Sequence, residues 1–216
     1  QAELAKVHLP EAPEGWERRE WGRDFEAEYQ AMLAGMSEDE RRMAEQVNNS
    51  LVGKTMRKKS EKEARREIKD TVWEYVNGDQ LVRLSAKYTD PKQSTSFQGL
   101  AMEMIATNMG FMIEREGYAV IQGVPYFSRS NWMDDGEALD KPLELEAYVG
   151  NDIQLGVVSN TDEATLRAIL ELIDYDGLNA MLDVPMAAVG SAAPDLTREE
   201  ELLMAEAAAD VLLERQ

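Results

Sequence analysis

The stretch Leu143 to Val158, LELEAYVGNDIQLGVV, decides the fold class. Leu143, Leu145, Ala147 and Val149 alternate with Glu144, Glu146 and Tyr148. After Gly150-Asn151-Asp152, the run Ile153 to Val158 keeps the same period of two. Two alternating runs about a glycine-containing turn predict an antiparallel hairpin with one apolar face. Just upstream, Tyr118 to Val124 (YAVIQGV) is rich in β-branched and aromatic residues and predicts a further strand, ended by Pro125. Between these strands, Ser128 to Pro142 reads as a polar loop. The resulting expectation is an α+β fold, predominantly helical, with a small antiparallel sheet at about 118–158.

Helical periodicity covers much of the rest. Trp16, Trp21, Phe25, Tyr29, Met32 and Met36 recur at mostly four-residue steps after an extended arm, 1–15, marked by Pro10, Pro13 and Gly15. Ser37 with Glu40 is a capping box for a second helix, whose stripe is Met43, Val47 and Leu51. Ser60 is read as the cap of a third helix, with Ala64, Ile68, Val72 and Tyr75 or Val76 buried and Asn77-Gly78 as its stop. A short helix is expected around Leu81, Leu84 and Tyr88, and a long apolar central helix over Ser96 to Glu116. Near the end, a helix from about Asp162 to Asp174 buries Leu166, Ile169, Leu170 and Ile173, and Gly177 to Leu182 adds a turn or two. These elements group as a helical region at 16–92, a central region at 93–184, a small-residue linker at 185–196 and an acidic terminal helix at 197–216.

Charge is distributed unevenly. The chain carries 42 Asp+Glu and 23 Lys+Arg, a net charge of −19. Ser130 to Gln216 holds 20 acidic and 4 basic residues, whereas Lys54 to Lys69 (KTMRKKSEKEARREIK) holds 8 basic and 3 acidic. A basic middle and an acidic end bias the orientation in which partners approach. The overall acidity argues against nucleic-acid binding outside Lys54–Lys69.

Several chemistries are excluded or weakened. The absence of cysteine removes disulfides, thiolate metal sites and cysteine nucleophiles, and fits a cytoplasmic setting. His8 is the only histidine, so a multi-histidine zinc site is impossible. No apolar run reaches the roughly 18 residues of a membrane helix, so no membrane partner is expected. Gly53-Lys54-Thr55 lacks the earlier glycine of a phosphate-binding loop, where Asn48 stands. Asp174, Asp176 and Asp183 resemble part of a calcium loop, but Leu172 occupies the first ligand position. Asp134, Asp135, Glu137 and Asp140 crowd one loop and could hold a divalent ion.

The expected function is non-catalytic and needs no cofactor: a soluble interaction or assembly protein, working through a protein partner or self-association. A phage or virus structural component, a scaffold or an adaptor fits, acting in the cytoplasm or assembled into a particle. The candidate partner-binding residues are Arg57, Lys58, Lys59, Lys62, Arg65 and Arg66 of the basic island, Trp16 and Trp21 beside the arm, and Leu202 and Leu212 of the terminal helix. Two alternatives stand: an acidic nucleic-acid mimic that blocks a DNA- or RNA-binding protein, and a metal-dependent enzyme using the 134–140 carboxylates.

Overall fold

In the computed structural model, residues 4–88, 113–131 and 142–214 are described, the side chains of 113–115, 129–131 and 211–214 excepted. The chain forms two compact units, Gln1–Arg19 with Trp73–Gln216, and Glu20–Val72.

The larger unit is built on one sheet. Its strands are β1 (Glu17–Arg19), β2 (Val72–Asn77), β3 (Gln80–Tyr88), β4 (Ile113–Ile121), β5 (Val124–Asn131), β6 (Leu143–Val149) and β7 (Ile153–Ser159). The order across the sheet is β1-β2-β3-β7-β6-β5-β4. This overturns the expectation of a predominantly helical chain with a small sheet near 118–158. Among the described residues the sheet has seven strands and reaches back to Glu17.

The misread region is 72–88. The residues assigned to the end of a third helix, Val72 to Asn77, are β2, and those assigned to a short helix around Leu81 are β3. Asn77-Gly78 is the turn of a hairpin, with Gly78 at φ +58°, a left-handed backbone that glycine adopts without a side-chain penalty. Trp16 immediately precedes β1 rather than opening a helix. The central helix expected at Ser96 to Glu116 lies outside the described residues up to 112; 113–116 belong to β4.

Register explains the core. Ala86 pairs with Leu155, Leu155 with Ala147, Ala147 with Tyr126, and Tyr126 with Ala119. These five residues form one row across five strands, and all are buried. Because side chains alternate across a strand, a one-residue slip would turn this row outward. The β4–β5 hairpin closes through Gln122 (φ +46°) and Gly123 (φ +81°), the paired left-handed residues of a two-residue turn. Pro125 therefore lies inside β5, paired with Val120, and not at a strand end.

Helices α4 (Glu163–Leu170) and α5 (Tyr175–Ala180) add Leu166, Ile169, Leu170, Tyr175 and Leu178 to the same core. Each is capped by an aspartate: Asp162 accepts from the Thr165 N–H, and Asp174 from the Gly177 N–H. The N-terminal arm is packed rather than free. Ala5–His8 forms a 3-10 turn, and Ala5 and Leu9 are core residues. His8 Nδ1 lies 2.8 Å from Asp174 Oδ2, and the Asp174 N–H donates to the His8 carbonyl.

The small-residue segment after Asp183 is also anchored. Val189 is buried, the Gly190 N–H donates to the Gln122 carbonyl, and Asn179 holds the Met186 backbone through both its amide atoms. Helix α6 (Arg198–Glu214) then lies against β4, with Ala205 and Ala209 buried. Gly117 is what allows the approach: a Cβ there would stand 2.5 Å from the Glu206 backbone nitrogen.

The smaller unit holds α1 (Phe25–Ala34), α2 (Glu38–Asn49) and α3 (Leu51–Thr71). Glu40 accepts from both the backbone and the hydroxyl of Ser37, as the capping-box spacing requires. The third helix starts earlier than Ser60: Ser50 caps α3 by accepting from the Gly53 N–H.

Candidate functional site

The basic island is one continuous stretch of α3. Opposite it, α1 presents Phe25 and Tyr29. The Arg65 guanidinium lies 4.9 Å from the Phe25 ring centre, and that of Arg57 4.5 Å from Tyr29. Such cation–ring contacts contribute about 0.5–1 kcal/mol each at exposed positions. Arg57 also pairs with Glu26 of α1 at 2.5 Å and with Glu61 at 2.8 Å, and the hydrogen bonds it donates to these carboxylates hold its pKa above the usual arginine value. Part of the island's charge thus ties α3 to α1.

The outward part is different. Lys58, Lys59, Lys62 and Arg66 are exposed; Lys59 lies 3.9 Å from Glu63 and Arg66 3.8 Å from Asp70, both loose surface pairs. A groove of about 520 Å³ between the helices is lined by Lys54, Arg57 and Lys58 and by Glu26, Glu45 and Glu61. Its three cations face three carboxylates, so it does not select an anion.

Beside the island is an apolar corner. One residue, Ser50, separates α2 from α3, and Gly53 sits so close to the Val47 carbonyl that a Cβ would stand 2.1 Å from its oxygen. On either side of this bend stand Met43 and Val47 of α2 and Leu51, Val52 and Met56 of α3. They are 62%, 69%, 84%, 64% and 68% exposed. Met43, Val47 and Leu51, the apolar stripe expected for the second helix, lie in solvent. Neither α2 nor α3 has a buried residue, and only Leu33 and Val72 are buried hydrophobics in this unit. Single exposed apolar residues are ordinary, but five large ones within fourteen residues on either side of one bend are a concentration that suits an interaction surface.

The other sequence candidates are dispersed. Trp16 packs on the sheet core. Trp21 is half-buried, with the Arg23 guanidinium 5.5 Å from its ring centre. Leu202 is half-buried on α6, and the side chain of Leu212 lies outside the described residues. Asp134, Asp135, Glu137 and Asp140 also lie outside them. Asp174 is engaged by His8 and Gly177, and Asp176 accepts from the backbone and hydroxyl of Ser191. Among the described residues no group of three or more His, Asp or Glu is placed to hold a metal ion, and no helix is long and apolar enough to cross a membrane.

Elsewhere the strongest electrostatic cluster joins α4 to α6. Arg167 donates to both oxygens of Glu201, at 2.8 and 2.5 Å, and Arg198 adds a contact at 3.3 Å. Hydrogen bonding from Arg167 holds the Glu201 carboxyl below the usual carboxylate range.

Compared with known proteins, the chain matches no family model, no curated protein and no solved structure.

Proposed function

We propose that this chain is a non-catalytic interaction or assembly subunit that works through its 20–72 unit. The carrying observation is the apolar corner of Met43, Val47, Leu51, Val52 and Met56, each more than three-fifths exposed. Covering one such side chain fully contributes about 1.5–3 kcal/mol, so a partner seated here gains much of what a stable contact needs. The unit's own helices are joined by ion pairs and cation–ring contacts rather than by a buried apolar layer, which leaves these side chains available.

The test uses the chain at its natural level in extracts of its own cells. The wild type should run well above the mass of its own denatured chain, and Val47→Asp with Leu51→Asp should run as a single chain, the purified variant keeping the wild-type circular dichroism spectrum. If both run as single chains, with and without cross-linking, the assembly reading is wrong.

A further inference from the structure

We propose that the α2–α3 corner of one copy docks on the outer face of α6 of a second copy, a head-to-tail contact between identical chains. This rests on the assembly reading above and names its partner. Charge carries the choice. The 20–72 unit has 11 Lys+Arg and 12 Asp+Glu, so −18 of the chain's −19 belongs to the other unit. Two-fold contact between α3 helices would set one +5 stretch against another. Contact between two copies of the larger unit would set −18 against −18. The crossed arrangement sets the +5 stretch against the most strongly acidic part of the chain, and like-charge juxtaposition is what suppresses wrong pairings.

The outer face of α6 has the matching chemistry. Glu201, Ala205 and Ala209, at four-residue steps, are buried and hold the helix to its own chain. The opposite side shows Leu203 (61% exposed) and Met204 (42%), flanked by exposed Glu199, Glu206 and Asp210. Both helices carry apolar residues followed by charge. On α3, Leu51, Val52 and Met56 precede Lys58, Lys59 and Lys62; on α6, Leu203 and Met204 precede Glu206 and Asp210, with Glu199 one turn before them. Laid side by side in the same direction, apolar meets apolar and cation meets carboxylate. Because the two contacting patches differ, two copies can satisfy both contacts reciprocally, and copies that do not close in this way continue to a ring or a filament.

The test is a charge exchange on purified full-length chain, read by light scattering. One variant reverses the island (Lys58→Glu, Lys59→Glu, Lys62→Glu) and the other reverses α6 (Glu199→Lys, Glu206→Lys, Asp210→Lys). At about 20 mM salt the wild type should gain mass with concentration, and about 0.5 M salt should weaken this, because exposed charges are then screened within a few ångströms. Each variant alone should associate about tenfold more weakly or worse, while an equal mixture of the two, or one chain carrying both sets, should recover the wild-type mass. Circular dichroism confirms that each variant folds. If the α6 reversal alone associates like the wild type, or mixing restores nothing, the head-to-tail contact is wrong. A purified wild type that stays a monomer at low salt also overturns it. The broader assembly reading survives that result if the chain in cell extracts still runs in a complex that the Val47→Asp, Leu51→Asp variant loses.

Discussion

Replacing Glu201 by Gln removes one charge from a nearly isosteric side chain and tests what fastens α6. Glu201 is 5% exposed and receives two hydrogen bonds from Arg167, at 2.8 and 2.5 Å, and a longer one from Arg198. Breaking a fully buried pair costs about 3–5 kcal/mol. Here Arg167 is one-third exposed and keeps Glu171 at 3.0 Å, so the arginine is not orphaned. Glutamine also still offers an acceptor oxygen. The expected loss is therefore that of a charged hydrogen bond, about 1.5–3 kcal/mol. For a chain of this size each kcal/mol moves the unfolding midpoint by about 2–4 °C. A drop of roughly 3–12 °C at pH 7 follows. The effect should depend on pH. Since the folded-state pKa of Glu201 is lowered, the ionised carboxylate stabilises the fold above the unfolded pKa of about 4.3, and this is lost as pH falls through the lower folded value. Thermal unfolding followed across this range should show the wild type and Glu201→Gln converging in acid. A midpoint unchanged at pH 7, or a gap that persists undiminished at the acid end, would refute the account.

Three more outcomes follow from the packing. Tyr175→Phe removes a buried hydroxyl that lies 2.7 Å from the Tyr126 hydroxyl and donates to the Leu170 carbonyl; a loss of about 1–3 kcal/mol should appear in urea unfolding. Gly123→Ala places a side chain at φ +81° and within 1.9 Å of the Ala188 carbonyl oxygen, so the left-handed penalty of about 1–2 kcal/mol is a lower bound, read from the denaturation midpoint. His8→Ala breaks the contact with Asp174 and should make the bonds around Ala5–His8 cleavable by a nonspecific protease well below the unfolding temperature, at a cost of about 1 kcal/mol.

The parts of the fold legible in the sequence are those where one period dominates. Leu143 to Val158 alternates cleanly because one face of β6 and β7 lies on the core, and it forms the hairpin that the alternation predicts. Leu166, Ile169, Leu170 and Ile173 recur at helical steps and are buried together. At 72–88 both periods fit. Val72 and Tyr75 are three apart, as in a helix, yet Val82, Leu84 and Ala86 alternate, and these three are the core residues of β3. What separates the readings is Asn77-Gly78, which ends a helix and turns a hairpin equally well; the β-branched and aromatic residues on its N-terminal side decide for the hairpin. The basic island was legible as a helix only from Ser60 onward, where Lys, Arg and Glu favour one; Lys54 to Lys59 belong to the same helix but lay before the expected cap. The corner beside it was not. Met43, Val47 and Leu51 recur every fourth residue whether the side they line is buried or exposed, and periodicity says which residues share a side without saying what covers it.

The strand order has a kinetic consequence. β3 joins the sheet only through β7 on its inner side, pairing Val82 with Ser159 and Tyr88 with Ile153, about 70 residues further along the chain. The four strands from β4 to β7 pair with their sequence neighbours and can close early. The seam between β3 and β7 must wait, because the entropy of closing so long a loop is spent before its contacts form. On a ribosome, β3 emerges with its inner edge unpaired, and at about 5–20 residues per second several seconds pass before its partner strand follows. During that interval an apolar strand edge is open to any other strand nearby. Folding of this chain is thus timed by one late zipper at the middle of the sheet, and refolding yield should fall with concentration most steeply in whatever slows that single step.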